Sequence, residues 1–241
     1  MLKTKPDAGA AIDRDGFAIV PNVIPTHEIE RLRAAVCGGT DGIQRRGSTY
    51  GGRNLLALPE VRRLAADGAV RDLIEPIVGP DAIPVRALFF DKIPEANWPV
   101  LWHQDLTIAV AERHDLEGWG PWSVKAGVPH VEPPAALLAG MLTIRLHLDD
   151  SHADNGPLRV IPGSHRLGRL SRDRIQATRE KSGEAVCTAP SGSALLMRPL
   201  LLHASSPARS PSHRRVIHLE FARAEALPQP LRWHHERSTQ D

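Results

Sequence analysis

The stretch Met141-Leu142-Thr143-Ile144-Arg145-Leu146-His147-Leu148 alternates apolar and polar side chains without a break. Leu142, Ile144, Leu146 and Leu148 fall on one side, and Thr143, Arg145 and His147 on the other. Side chains of a strand point alternately to opposite faces, so a period of two predicts a β-strand; a helix would repeat every 3.6 residues. Similar short apolar runs, at residues 85–90, 158–161, 194–197 and 214–221, predict further strands. Asn155-Gly156, between two of them, is the sequence signature of a tight hairpin turn.

Upstream the texture differs. Thr26, after Pro25, can cap a helix whose first turn carries Glu28 and Glu30. Ile29, Leu32 and Val36 then recur near helical spacing until Gly38-Gly39 stops the run. Residues 59–66 and 69–78 read as two more short helices, the second closed by Gly79-Pro80. Helices first and many short strands after predict a mainly β sandwich or barrel with helices packed outside. No repeat, low-complexity block or Gly/Ser linker divides the 241 residues, so one domain is expected across 1–241, with a core of about 15–222.

Bulk composition narrows the function. With 41% hydrophobic residues the chain can bury a substantial core, and with 4% aromatics its packing must be largely aliphatic. A net charge of +2, from 30 basic and 28 acidic residues, argues against general electrostatic binding to nucleic acid. Cys37 and Cys187 are too few for a disulfide framework and lack metal-ligand spacing. The N-terminus has no signal-peptide core, and the most apolar run, residues 135–144, is about half a membrane span. A soluble cytoplasmic protein, monomer or homodimer, acting on a small molecule is expected.

Leu101-Trp102-His103-Gln104-Asp105 puts an imidazole and a carboxylate two residues apart, hence on one face if the chain is extended. His203, at the end of Leu200-Leu201-Leu202, suits a barrel-interior position and supplies a third ligand. Two histidines and one carboxylate on one face of an octahedron leave positions for a chelating 2-oxo acid and O2, the arrangement of non-haem Fe(II) oxygenases. His147-Leu148-Asp149 has the same spacing, but Asp149-Asp150 leads toward the Asn155-Gly156 turn, where Asp commonly serves turn geometry. His114, His130, His152, His165, His213, His234 and His235 read as surface or loop histidines. Eleven positions beyond His203 stands Arg214, whose planar fork suits the far carboxylate of a 2-oxo diacid, with Ser205 as an added hydroxyl donor. The alternative for Arg214 is a solvated charge at a strand end.

These segments, together with residues 155–165 (Asn-Gly-Pro-Leu-Arg-Val-Ile-Pro-Gly-Ser-His), resemble the phytanoyl-CoA dioxygenase family from about Asp15 to Phe221. The resemblance implies a double-stranded β-helix (jelly-roll, cupin-like) core and an Fe(II)- and 2-oxoglutarate-dependent dioxygenase. It implies His103, Asp105 and His203 as iron ligands, and Ser205 and Arg214 at the distal carboxylate of 2-oxoglutarate. Arg53 matches a family position where a basic residue meets the co-substrate. Arg145 stands where a relative has a pocket-lining aromatic, so it faces either 2-oxoglutarate or an acidic group of the substrate. Halogenating relatives lack the carboxylate ligand; Asp105 therefore implies hydroxylation or desaturation.

Residues 106–134 form a long insertion of the kind that often serves as a binding lid. Trp119 and Trp122 can cover an apolar part of a substrate while Lys125 or His130 meets a polar one; alternatively the tryptophans pack the loop onto the barrel. Arg53, Arg145 and Lys125 together favour a small acid-bearing metabolite. A non-catalytic binding protein on the same fold is the alternative, but it should lack a triad member or the arginine. A zinc hydrolase leaves Arg214 unexplained.

Overall fold

The computed structural model describes residues 8–38, 42–45 and 48–234; the expected helix stop at Gly39 and His235 lie outside them. The first part of the chain carries α1 (Ala8–Asp15), β1 (Phe17–Val20), α2 (Thr26–Gly38), β2 (Gly42–Arg45), β3 (Ser48–Gly52), α3 (Pro59–Ala65), α4 (Gly68–Val78) and β4 (Ala82–Asp91). Then come β5 (Val100–His103), β6 (Ile108–Ala109), β7 (Trp122–Lys125), β8 (Val128–Val131), α5 (Ala135–Gly140) and β9 (Leu142–His147). The last part holds β10 (Leu158–Val160), α6 (Arg172–Lys181), β11 (Ala185–Cys187), β12 (Ala194–Met197), β13 (His203–Ser205) and β14 (Arg215–Arg223).

The major sheet runs β1-β12-β9-β14-β4-β3-β2, and the minor sheet β11-β10-β13-β5, with antiparallel pairing throughout. Together they form a jelly-roll core. β9 lies centrally, with Leu146 opposite Ala194 on one side and Ile217 on the other. Its apolar residues Leu142, Ile144 and Leu146 join Leu32, Leu64 and Ile74 of the helices in the main hydrophobic cluster. Each such aliphatic side chain contributes about 1.5–3 kcal/mol when fully buried. The polar residues of β9 are buried as well, because the opposite face of the sheet lines an internal cavity.

Two local expectations are corrected. Asn155-Gly156 makes a turn, with Gly156 at φ 70°, but not a hairpin: β9 and β10 belong to different sheets. Asn155 spends its amide on this crossing, donating to the Asp150 carbonyl and accepting from His152 N–H. Residues 106–134 are not an irregular lid either. They contain a three-stranded sheet, β6-β8-β7, whose β7–β8 hairpin turns at Ala126 (φ 49°) and Gly127 (φ 76°). Both positive φ angles match the twist-compatible two-residue turn.

Candidate metal centre

β5 and β13 pair so that His103 stands directly opposite His203, with ring centroids 4.2 Å apart. Asp105 follows β5, its N–H donating to the Pro199 carbonyl at 2.9 Å. The alternation expected of an extended segment persists there. Gln104 turns the other way, donating to the Gly168 and Leu200 carbonyls and accepting from Leu170 N–H. Its three bonds clamp the backbone that aims His103 and Asp105 into the cavity.

The ring nitrogens are already sorted. His103 Nδ1 donates to the Leu101 carbonyl (2.7 Å) and His203 Nδ1 to the Leu201 carbonyl (2.9 Å). Each Nε2 is left with its lone pair toward the cavity, the orienting arrangement that metal-binding histidines need. Asp105 Oδ1 lies 3.8 Å from His103 Nε2, and Oδ2 3.7 Å from His203 Nε2. These separations are too long for hydrogen bonds. All three donors nonetheless fall within 4.8 Å of one another, close enough to share one ion. Asp105 Oδ2 is buried without a hydrogen-bond donor, an orphaned acceptor that a cation would satisfy. Burial pushes the Asp105 carboxyl up, but His203, His218, His103 and Arg86 outweigh it and hold it below the usual carboxylate range. Burial pulls His203 down to about 4, keeping its imidazole neutral at pH 7. An ionised carboxylate and two oriented imidazoles fit Fe(II).

The carboxylate of the rival pair is engaged elsewhere. Asp149 is taken up by Arg33 and by Arg215, which reaches it through Nε (2.7 Å) and Nη2 (2.8 Å).

The cavity beside the triad, about 170 Å³, is floored by cations. Arg214 sits just before β14, its N–H on Asp91 Oδ1 and its Nε buried without a partner. Ser205 lines the same end, donating to the Gly156 carbonyl at 3.0 Å. Lys92 reaches it too: Nζ lies 2.7 Å from Ser205 Oγ and contacts the Ser206 carbonyl. Burial and the neighbouring Arg214 push the Lys92 ammonium down to about 7. Gly156 makes this approach possible, since a Cβ there would meet Lys92 Nζ at 2.9 Å and the Ser206 carbonyl at 2.5 Å.

Arg145 also lines the cavity, its guanidinium 5.5 Å from the Phe90 ring centre. It donates to His218 Nδ1 at 2.9 Å, so the ring proton lies on Nε2 and is donated to Glu220 (3.1 Å). Glu220 is in turn ion-paired with Arg86. This row of charges crosses the sheet, and Arg145, His218 and Arg86 line the same cavity as the triad.

The other expected site residues fall elsewhere. Trp119 and Trp122 do not line the cavity; they pack on a second cluster around Val110, Val131 and Trp233, because the insertion needs its own core. His130 is not on the surface but 3% exposed, its Nδ1 held by the Val128 carbonyl. Arg53 lies outside the cavity lining, close enough for its charge to act on Lys125 and His130. Lys92, Arg86, Glu220 and His218 were not anticipated. Their signal was a set of polar or charged residues in alternate register on otherwise apolar segments, 86 and 92 on one and 218 and 220 on the other.

A jelly-roll core carrying two histidines and a carboxylate, open to a cavity with arginine at its far end, defines the class of non-haem iron, 2-oxoglutarate-dependent oxygenases. The chain belongs to one family within it: the phytanoyl-CoA dioxygenase (PhyH) profile matches residues 12–216. Membership makes the chain an oxidoreductase of the dioxygenase kind, and its His-Asp-His triad is able to hold a metal. It is 24% identical to L-proline trans-4-hydroxylase of Streptomyces griseoviridis, over 92% of this chain and 88% of that one. It is also 24% identical to ectoine dioxygenase of Sphingopyxis alaskensis, over 65% of this chain, but spans only 48% of that relative. Among solved structures, the apoform of EctD from S. alaskensis superposes with a TM-score of 0.71 at 19% identity, covering 95% of this chain and 82% of EctD. The epimerase SnoN from nogalamycin biosynthesis superposes at 0.65 and 16%, covering 90% and 81%. No helix among the described residues is long and apolar enough to cross a membrane.

Proposed function

We propose that this protein hydroxylates a C–H bond of a small metabolite, consuming 2-oxoglutarate and O2 and releasing succinate and CO2, with His103, Asp105 and His203 as the iron ligands. The reading is carried by one observation: the three donors face one point of a cavity whose far end holds Arg214 and Lys92. The relatives with hydroxylase and dioxygenase names support it.

Iron with its co-substrate supplies the oxidising chemistry when bound, and the chain supplies position and exclusion. His103 and His203 present fixed Nε2 atoms, and Asp105 contributes the one anionic ligand. Arg214 takes the distal carboxylate of 2-oxoglutarate, with Ser205 and Lys92 beside it and Arg145 flanking its length. Leu88, Phe90 and Leu158 make the intervening wall apolar, which keeps bulk water from the reacting carbon.

The whole chain serves as one catalytic domain, cytoplasmic, as monomer or homodimer, without nucleic acid as partner. Free Cys37 and Cys187 fit a reducing compartment, and the +2 net charge fits a small-molecule substrate. The test is anaerobic loading with Fe(II) and 2-oxoglutarate, followed by a metabolite-extract screen for stimulated succinate release. Failure to bind Fe(II), or binding that survives loss of the triad, overturns the assignment.

A further inference from the structure

Beyond the triad, away from Arg214, two more cations converge on one residue. Arg86 Nη1 donates to the Thr107 carbonyl (3.2 Å) and Lys125 Nζ to the Thr107 hydroxyl (2.9 Å). Thr107 is two residues past Asp105, so both cations are tethered near the metal centre; Arg86 lines its cavity, and Lys125 stands behind that lining. Arg86 has a counter-ion in Glu220. Lys125 has no ion pair among the described residues, and burial together with the charges of Arg86 and Arg53 lowers its pKa against the weaker pull of Glu220 and Asp105. The neighbouring His130 is itself lowered to about 4 by burial and by Arg86, Lys125 and Arg53, against the pull of its Val128 hydrogen bond, so it adds no charge at pH 7.

2-Oxoglutarate cannot serve this group. Arg86 and Lys92 are six residues apart on and just beyond extended β4, roughly 20 Å at about 3.3 Å per residue. A five-carbon diacid spans on the order of 5 Å between its terminal carbons at ordinary bond lengths. With one end at the triad and the other on Arg214 and Lys92, it has nothing left to offer Lys125. A half-buried ammonium beside guanidinium groups is costly, and Glu220 and Asp105 offset only part of that cost, so a further anion stabilises it.

We propose that Lys125 and Arg86, with Arg53 beside them, bind a carboxylate of the substrate, which is therefore a small metabolic acid whose reacting C–H bond is set back from that group. The inference rests on the proposed oxygenase function and names its substrate class. Glu220 positions Arg86, and Thr107 fixes both cations relative to Asp105.

The test uses the anaerobic holoprotein with Fe(II) and 2-oxoglutarate. Equilibrium binding is measured for small carboxylic acids, each paired with its primary amide, and succinate release is followed separately in air. The expected result is that acids bind at least tenfold tighter than their amides. Lys125→Met should remove that preference while 2-oxoglutarate still binds, and Lys125→Arg should keep it. Lys125→Gln, which retains a donor for Thr107, separates lost charge from lost structure and should behave as Lys125→Met. Amides binding as well as acids, neither binding, or a preference that survives Lys125→Met overturns the proposal. Acid preference without any succinate release sinks the oxygenase reading and leaves the acid site standing. Succinate release stimulated only by neutral compounds does the reverse.

Discussion

Lys92 donates to Ser205 Oγ at 2.7 Å across 113 residues of sequence, and the contact joins the two sides of the cavity. Among the described residues no carboxylate pairs with this ammonium, so its protonation is linked to the binding of an anion. In the folded protein Lys92 is pushed down to about 7, from 10.5. Between those pH values the unfolded chain binds the extra proton, so through this group stability rises as pH rises from about 7. Lys92→Met should flatten that part of the stability–pH curve, measured by denaturant titration. Binding of 2-oxoglutarate favours the ammonium, so at pH 8 it should take up close to one proton in wild type and markedly less in Lys92→Met. Calorimetry in buffers of different ionisation enthalpy reads this directly, and equal uptake in both proteins would contradict it.

Arg214→Ala removes the guanidinium expected to grip the distal carboxylate. Truncating one partner of a buried charge pair costs about 2–5 kcal/mol, so 2-oxoglutarate affinity should fall by about 30-fold or more. Iron binding should persist, because none of the three donors touches Arg214. Unchanged co-substrate affinity would transfer the role to Arg145 or Lys92.

Asp105→Ala removes the only charged donor of the triad. Hydroxylation should be abolished even where 2-oxoglutarate still binds through Arg214. In wild type, labelled O2 should deliver one atom to succinate and one to the product, the second diluted by any exchange with water. A chlorinated product from wild type in chloride buffer would refute the assignment of hydroxylation.

Gly156→Ala tests the crossing loop. The new Cβ would lie 2.5 Å from the Ser206 carbonyl and 2.9 Å from Lys92 Nζ, at a backbone φ of 70°. Strain of this kind costs about 1–3 kcal/mol. Both the midpoint of unfolding and 2-oxoglutarate affinity should therefore fall, the second because Lys92 loses its seat. A loss of stability with co-substrate affinity intact would separate the loop from the site.

Much of this was legible in the chain. The alternation in residues 141–148 specified a strand, because a local period acts over a short distance. His103 and Asp105 offered a ligand pair by spacing, as did His147 and Asp149, and the family resemblance favoured the first pair and joined it to His203, 100 residues on. Helix α6 was not legible, since none of its residues is buried and no apolar stripe marks it. The hairpin expected at Asn155-Gly156 failed for a different reason. Its residues do make a turn, but pairing depends on where the flanking strands go, and β9 and β10 go to different sheets.

The sequence by itself determined the strand-rich core, and it put forward the three donors and Arg214 as candidates. Which charges face the cavity was decided by the tertiary structure. Leu142 and Arg145 are both buried, one against helices and one toward the site, and alternation alone does not say that both faces of a sheet are covered. Lys92 meets Ser205, and Arg86 meets Thr107 and Glu220, only because the jelly roll stacks strands distant in sequence. A charge inside an apolar strand announces a cavity; the partner it finds there is set by register and closure of the barrel.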